Sequence, residues 1–342
     1  MKKILSIISI IIIGILLISG CGSTVTQNAE AADNTDKTSK VDSKLNLGIV
    51  QILEHPSLDA ARQGFLDVLA ENGYKEGENL IVSYENAQGD MATLNSIAQN
   101  LVSDKNDLIL AIATPSAQAV ANASKGTEIP VLFTAVTDPV AAGLVKSMEK
   151  PETNLTGTTD MAPVDEQIKL IQEINPSVKN VGVIYNSGEV NSVVQVELVK
   201  EIAKELGLNI IEAIATNTSE VDQAAKSLVG KVEAIYIPTD NVVVTALEAV
   251  IQVAEQNKIL LVSTEKDSVN RGTVATIGLD YYKLGRQTGE MALRVLSGKS
   301  KPQDMPVETQ DQKDVIINLK AAKAMGITIP QSLVDKAAEV IQ

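Results

Sequence analysis

The sequence predicts an α/β protein made of two similar halves, each a parallel sheet flanked by helices. First, short apolar runs typical of buried strands alternate strictly with amphipathic, helix-like segments from residue 45 to residue 278. Second, several of these runs end in hydroxyl, carboxylate or amide side chains directly before a helix. Third, the second half repeats the first in kind, without a residue-level repeat that would prove duplication. Such alternation favours parallel sheets, because right-handed crossovers leave few other arrangements.

The first half is predicted to contain strands at 45–53, 80–84, 108–113 and from residue 131 onwards. Ser57 is expected to cap the first helix and Gly73 to end it, while Asp90 caps a second helix at 91–102. In the stretch 108–121 a continuous apolar run leads through Thr114, Pro115 and Ser116 into an Ala-rich helix. The unpaired amides of such a helix start, together with the hydroxyls, predict an anion site.

The second half is predicted to follow the same alternation of strand and helix. Its helices are expected at 164–174, at 190–206 before Gly207, after a cap formed by Ser219 with Asp222, and at 242–257. Its strands are expected at 180–185, 209–215, 234–237, 259–262 and 274–278, after a segment at 156–160. The predicted fold class is therefore α/β, with two Rossmann-like parallel-sheet lobes joined by a hinge.

The tail is predicted to connect the two lobes again. It contains an amphipathic helix at 281–296, a polar connector at 298–312, a strand at 315–318 and two short helices around Gly326 and Pro330. If the tail returns to the first lobe and then crosses back to the second, three chain segments connect the two lobes. Hinges are then expected near 158–160, 279–280 and 308–312. The first lobe is then 45–158 plus 281–308, and the second is 159–280 plus 309–342.

The first 44 residues have the pattern of a lipoprotein leader and linker. Two lysines precede an apolar run at 4–18, and Ser19 and Gly20 lead to Cys21, an order that resembles a bacterial lipobox. The alternative is an uncleaved membrane anchor, for which the run is short. We therefore expect a signal peptide at 1–20, lipidation at Cys21 and a flexible polar tether at 21–44, which place the protein on the extracytoplasmic face of the bacterial membrane.

Composition argues against several function classes. The net charge of −14 is interrupted by no basic cluster, which argues against nucleic acid as a partner. Aromatic residues make up 2% and Trp is absent, so clefts that stack bases or sugars are disfavoured. A single cysteine and a single histidine leave no intramolecular disulfide and no cysteine-rich or paired-histidine metal site. No phosphate-loop, dinucleotide or nucleophile-elbow motif occurs, so we predict no enzyme activity, no metal and no cofactor.

Polar side chains follow several of the predicted strands. Ser116 follows one strand, Thr137 and Asp138 follow the next, and Asp240 with Asn241 follows a strand of the second half. Because ligands of open parallel sheets bind beyond the carboxyl ends of the strands, these positions predict one shared cleft. The alternative for each residue alone is helix capping. For His55, in a loop before a helix, a loop or capping role is favoured over that of a catalytic base.

Seven segments together resemble one protein family over essentially the whole chain after the tether. They are 51–65 (QILEHPSLDAARQGF), 111–118 (AIATPSAQ), 133–139 (FTAVTDP), 184–188 (IYNSG), 235–241 (IYIPTDN), 280–285 (DYYKLG) and 317–330 (INLKAAKAMGITIP). The family comprises substrate-binding lipoproteins of ABC importers related to tryptophan- and tyrosine-binding proteins. The resemblance implies a monomer of type I periplasmic-binding-protein fold that passes an amino acid, typically aromatic, to a permease driven by a cytoplasmic ATPase.

The resemblance also implies roles for individual residues. The ligand carboxylate is expected near Ser116 and Thr137, and the ammonium near an acid of the opposing lobe. The candidates for that acid are Asp240 and Glu265, with Asp138 and Asp280 as further possibilities. Two residues are expected to wall the side-chain pocket and one to add a contact beyond the first strand: Tyr185, Asn186 and Glu54. A ligand-sensing domain that feeds a membrane receptor is the alternative function, and aliphatic amino acids stay open as ligands.

Overall fold

The computed structural model describes residues 44–310 and 313–342. The predicted signal peptide, Cys21 and all but the last residue of the predicted tether lie outside the described residues. Among the residues described, no helix combines the length and apolar character that crossing a bilayer requires.

The first sheet has six strands, all parallel, in the order β11-β5-β4-β3-β1-β2, numbered along the chain. The strands are β1 (Leu45–Gln51), β2 (Leu80–Asn86), β3 (Leu108–Ile112), β4 (Val131–Val136), β5 (Leu155–Thr159) and β11 (Glu308–Thr309). The helices associated with this sheet are α1 (Pro56–Glu71), α2 (Met91–Ser103), α3 (Thr114–Ala123) and α10 (Tyr281–Leu296). Every residue of β3, β4 and β5 is buried, as expected for parallel strands covered on both faces.

The second sheet has seven strands in the order β13-β12-β10-β9-β8-β6-β7. The strands are β6 (Asn180–Tyr185), β7 (Asn209–Ile214), β8 (Ala234–Ile237), β9 (Leu260–Ser263), β10 (Ala275–Gly278), β12 (Asp314–Asn318) and β13 (Glu339–Ile341). Its helices are α4 (Val164–Ile174), α5 (Val190–Leu206), α6 (Val221–Ser227), α7 (Asn241–Thr245), α8 (Leu247–Asn257), α9 (Lys266–Arg271), α11 (Leu319–Ala324) and α12 (Gln331–Val334). The predicted α/β class with two parallel-sheet lobes is confirmed.

The strand β12 departs from the predicted parallel arrangement, because it runs antiparallel to β10. The chain reaches β12 directly from β11 in the first sheet and not through a helix that crosses over the second sheet. It enters at the edge where β10 ends, as the pairing of Gly278 with Asp314 shows. A strand that starts where its neighbour ends must run the opposite way.

Three local predictions about helices are wrong. The helix predicted at 242–257 is two helices, α7 and α8, which are separated at Ala246. The sequence of α7, NVVVT, is rich in β-branched residues, which have a low helix propensity because a helix restricts their χ1 rotamers. Ser57 does not cap α1, because that helix already begins at Pro56. Before α6 the side chain of Asn217, and not Ser219, accepts the capping hydrogen bond, in a short 3₁₀ turn.

The helices α1 and α10 pack at very short range, which returns the chain to the first lobe after β10. A Cβ atom added at Gly285 would lie 1.8 Å from the carbonyl oxygen of Ala61, and one added at Gly64 would lie 2.1 Å from the carbonyl oxygen of Tyr282. Only glycine allows the two backbones to approach in this way. The contact fixes the start of α10 and therefore the position of Tyr281.

We expect Gly285→Ala to destabilise the protein by about 1–3 kcal/mol, because the added methyl group forces α1 and α10 apart by more than the gain in helix propensity repays. The free energy of unfolding, measured in urea, checks this. Glu290→Ala, on the exposed side of the same helix, is the control and should change stability by less than about 0.5 kcal/mol. Equal stabilities of the two variants would contradict the tight-packing interpretation.

Candidate functional site

Contacts between the two lobes form where the carboxyl ends of their strands face each other. Ser57, after β1, donates a hydrogen bond from Oγ to Oε2 of Glu265, after β9, at 2.6 Å. A cavity of about 270 Å³ is lined by residues of the first lobe, including Leu53 and Pro115, and of the second lobe, including Asn186 and Val242. The structure therefore has a cleft between the lobes at the place that the strand ends predicted.

The first-lobe wall of this cleft contains the start of α3. The strand β3 ends at Ile112, and Ala113 takes a positive φ of 75°, so that the chain turns at once into the helix. The hydroxyl groups of Thr114 and Ser116 are buried and neither has a hydrogen-bond partner. Unpaired buried hydroxyls beside free helix amides are what an anionic ligand group would satisfy.

His55 lies between β1 and α1 and is buried as well. Neither ring nitrogen has a hydrogen bond of normal geometry. Burial lowers the pKa of His55 to about 4, so the imidazole is neutral near neutral pH. Of the loop or capping role predicted for His55, the structure shows the loop position, at the N-cap of α1, and no side-chain capping bond.

Thr137 is already engaged by a carboxylate that sequence analysis did not identify. Its Oγ1 donates to Oδ1 of Asp160 at 2.9 Å, and the hydroxyl of Tyr281 donates to Oδ2 of the same residue at 2.6 Å. Burial raises the pKa of Asp160. Thr137 follows β4, Asp160 follows β5 and Tyr281 begins α10. Their hydrogen bonds therefore connect the two places where the chain passes between the sheets, after β5 and before α10.

Asp240 caps α7 and is fully engaged within its own lobe. Oδ1 accepts from the amide of Val243 at 2.8 Å, and Oδ2 accepts from the amide of Asn186 and from Oγ of Ser192, both at 2.6 Å. Burial raises the pKa of Asp240. Its carboxylate organises the loop after β6 around the end of β8.

Glu189, just before α5, forms a second buried acidic group beside Asp240. Oε2 accepts from Nδ2 of Asn191 at 2.9 Å and from Nδ2 of Asn241 at 2.5 Å. Burial, and then the negative charge of Asp240, raise the pKa of Glu189 to about 7. Sequence analysis missed Glu189 because it lies in a loop without a repeating pattern, one residue beyond the segment that resembles the family.

Glu265 is the acid at the contact between the lobes. It is 1% exposed, and besides Ser57 it accepts a long hydrogen bond of 3.4 Å from Oγ of Ser268. Burial raises the pKa of Glu265 to about 8, with further contributions from the charges of Asp267 and Asp160. Burial therefore holds this carboxyl group largely protonated at neutral pH.

Four of the predicted site residues do not contact the buried hydroxyl and carboxyl groups described above. The hydroxyl of Tyr185 donates to Oε2 of Glu212 at 2.6 Å, and Glu54 is exposed. Asp138 accepts from two amides of its own turn, and Asp280 caps α10. Their roles in ligand binding stay predictions without a contact to support them, whereas Asn186 does line the cavity.

The two walls differ in what they offer a ligand. The first-lobe wall presents buried hydroxyls without acceptors, whereas the second-lobe wall is rich in buried carboxyl groups, and Asp160 lies at the crossing between the lobes. None of Asp160, Glu189, Asp240 and Glu265 forms a salt bridge with a lysine or arginine of the described chain. No cluster of three or more histidine, cysteine or acidic side chains suited to a metal occurs in the residues described. The chemistry of the cleft is complementary to a zwitterion.

Comparisons with known proteins agree with this geometry. The family model described as ABC transporter substrate binding protein matches residues 46–341. The chain is 47% identical over 328 residues to the tyrosine-binding protein of Clostridioides difficile strain R20291, which covers 95% of this chain and 93% of that protein.

Two solved structures of similar proteins differ in how closely they superimpose on this chain. The ABC domain from Streptococcus pneumoniae in complex with L-Trp is 37% identical, covers 87% of this chain and 100% of that one, and gives a TM-score of 0.83. The ligand-free, open structure of a substrate-binding protein with adhesive properties from Clostridium difficile is 46% identical over 87% of this chain and 99% of that one, yet gives only 0.65. The whole chain therefore superimposes better on the L-Trp complex than on the open structure.

Proteins of this family bind a small molecule outside the cytoplasm for an ABC transporter. The predicted family and the type I periplasmic-binding-protein fold are both confirmed. The chain belongs to the family of ABC transporter substrate-binding proteins.

Proposed function

We propose that this protein binds an aromatic amino acid between its lobes and delivers it to a membrane permease driven by an ATPase. One observation carries the proposal: hydroxyl groups without a hydrogen-bond partner lie at the start of α3 in one lobe, and buried carboxyl groups lie in the other lobe. The names of the relatives support the aromatic class, since one is called tyrosine-binding and another holds L-Trp. Binding an amino acid for transport leaves its covalent bonds unchanged, so we propose binding without catalysis.

The ligand carboxylate is proposed to bind at Ser116, with Thr114 and the free amides of α3 as further donors. Thr137 is the second predicted donor, but its hydroxyl would first have to leave Asp160. For the ammonium, Asp240 and Glu265 are the predicted acids. The oxygens of Asp240 are taken by three donors of its own lobe, and Glu265 would exchange the hydroxyl of Ser57 for the ligand.

Closure of the lobes is proposed as the signal that the permease reads. A ligand that bridges both walls favours the closed form, because only there are all its polar groups paired. We propose lobes close to the predicted bounds of 45–158 plus 281–308 and 159–280 plus 309–342, with hinges near 158–160, 279–280 and 308–312. The pairing of Thr159 with Thr309 in the first sheet supports moving these two residues to the first lobe. The protein is proposed to act as a monomer, held outside the cell by a lipid on Cys21 and a tether at 21–44.

Ser116→Ala should weaken the binding of L-Tyr or L-Trp by about 1.5–3 kcal/mol, the usual contribution of a hydrogen bond to a charged group. Isothermal titration of the purified protein measures it. Since the hydroxyl has no partner in the protein, the substitution should leave the thermal unfolding temperature unchanged. Ser96→Ala, on the exposed side of α2, is the matched control. An affinity change below a few tenths of a kcal/mol would demote Ser116 to a structural position.

The stability of the ligand-free protein should fall as the pH rises from about 6.5 to about 8.5. Glu189 and Glu265 have pKa values raised to about 7 and about 8, so in this range the folded state binds more protons than the unfolded state. Each such group lowers the free energy of unfolding by up to about 1.4 kcal/mol per pH unit. His55 opposes this slope slightly near pH 6.5, because its pKa is lowered to about 4 in the folded state and is about 6.5 in the unfolded state, so only the unfolded state binds the proton there.

Urea denaturation across this pH range tests the expectation, and Glu265→Gln is the informative variant because its side chain is neutral throughout. We expect a loss of about 2 kcal/mol in the wild type and a clearly smaller loss in the variant. A wild-type stability that rises with pH would contradict the assignment of buried, protonated carboxyl groups.

Cys21→Ser should release the protein from the membrane. Lipidation needs the thiol, so the variant should move from the membrane pellet to the soluble or secreted fraction when cells are fractionated. Ser19→Ala, two residues earlier, keeps a small side chain and is the control that should stay membrane-bound. Retention of Cys21→Ser in the pellet would instead support an uncleaved apolar anchor.

A further inference from the structure

Glu189 is the one ionisable side chain that lines the cavity between the lobes. The remaining lining residues are apolar or neutral, with Ile52, Leu53 and Pro115 on the first-lobe side and Val242 on the second-lobe side. The cavity has a volume of about 270 Å³, which is the scale of an amino acid with a large side chain. Three neutral polar side chains, of Gln118, Asn186 and Thr216, also line the cavity. A cavity with mainly apolar and neutral walls and a single acid fits a ligand that has an apolar body and one cationic group.

The contacts of Glu189 leave room for such a group. Three donors reach this carboxylate, the side-chain amides of Asn191 and Asn241 and, at 3.4 Å, the backbone N–H of Asn241. All three bind Oε2, and no described residue donates to Oε1. Asn191 is 2% exposed, and its Oδ1 has no hydrogen-bond partner. Its other amide atom, Nδ2, must face the carboxylate, which fixes the orientation of the amide. Oε1 of Glu189 therefore receives no hydrogen bond from the described residues, and it belongs to a side chain that lines the cavity, where an ammonium group could donate to it.

The other acids are less suited to this task. Asp240 already receives three hydrogen bonds from its own lobe, and Glu265 receives the hydroxyl of Ser57 and does not line the cavity. Asp240 instead acts on Glu189 through its charge and through the adjacent residue Asn241, which donates to Glu189. It is a positioning residue for the acid beside it.

We propose that Glu189 binds the ammonium group of the ligand, with its carboxylate oriented by Asn191 and Asn241 and with the ligand side chain against Ile52, Leu53 and Val242. The inference rests on the proposed amino-acid function and deepens it. It assigns the cation-binding role to a residue that neither the strand pattern nor the family resemblance marked.

Proton release on binding follows from this assignment. The pKa of Glu189 is raised to about 7 by burial and by Asp240, the titratable group that faces it. His55, which faces the same cleft from the first lobe, is neutral because its pKa is lowered to about 4. An ammonium group favours the ionised carboxylate, so binding at pH 7 should release a fraction of a proton that disappears near pH 9.

The test compares two ligands that differ only in the ammonium group, L-tyrosine and 3-(4-hydroxyphenyl)propionate, on the full chain purified in mild detergent. Glu189→Gln should weaken L-tyrosine binding by about 10- to 100-fold and change the affinity for the propionate by less than about 2-fold. Titrations in two buffers of different ionisation enthalpy should show that the proton released by the wild type at pH 7 is lost in the variant.

Glu265→Gln is the discriminating comparison, because Glu265 is the competing candidate for the ammonium group and is likewise a buried carboxyl group with a raised pKa. If Glu265→Gln and not Glu189→Gln shows the loss specific to L-tyrosine, the assignment is overturned. Equal losses for both ligands in Glu189→Gln would also overturn it, since that pattern means a general structural effect. Should Glu189→Gln fail to fold, Glu189→Asp keeps the charge but withdraws it by one methylene, and it should weaken only L-tyrosine.

The design separates this inference from the function on which it rests. Wild-type protein that binds neither aromatic amino acid overturns the proposed function, whatever the variants do. Wild-type protein that binds L-tyrosine, together with a Glu189→Gln variant that binds it equally well, overturns only the role of Glu189.

Discussion

The burial of carboxyl groups without a protein cation beside them is the constraint on which the rest of this structure depends. Glu189, Asp240 and Glu265 all lie below the surface of the closed cleft, and burial raises the pKa of each. Removing a charge from water is costly unless it is paired, so these groups either take up protons or await a cationic ligand. The buried hydroxyls of the first lobe also carry a desolvation penalty, because they have no hydrogen-bond partner, and an anionic ligand group that accepts from them would remove it.

The topology places these groups together. Parallel strands end on one edge of each sheet, so the loops after β1 and β3 meet those after β6, β8 and β9. The close contact of α1 with α10 then fixes Tyr281, whose hydroxyl holds Asp160 at the first crossing between the lobes. Packing far from the cleft therefore determines the distance between its two walls.

The sequence predicted those parts of this arrangement that follow from periodicity. Buried strands read as continuous apolar runs, and a residue directly after such a run must lie at the carboxyl edge, which is why Ser116, Asp240 and Glu265 were found as candidates. Glu189 follows no such rule, because a loop can direct a side chain anywhere. Asp160 lies directly after β5, but the sequence of that strand, LTGTT, is not an apolar run and gave no strand signal. Tyr185 shows the limit from the other side: its position at a strand end was visible, but its hydroxyl binds Glu212 and not the cleft, a choice made by tertiary contacts. A strand was predicted at 315–318, but its antiparallel direction was not, since the direction of β12 depends on where the chain enters from the other lobe.

The hydrogen bond from Ser57 to Glu265 explains how closure can be sensitive to a ligand. It links the two lobes directly, and a bond of this kind contributes about 1 kcal/mol, enough to change an open-to-closed ratio only several-fold. A zwitterion held at both ends adds two hydrogen-bonded charged groups, each contributing about 1.5–3 kcal/mol. Their sum approaches the roughly 5.5 kcal/mol that converts a mostly open population into a mostly closed one. The protein's own contact therefore makes the closed form accessible, whereas only a ligand with both charges makes it dominant, and a partner that recognises closure then recognises occupancy.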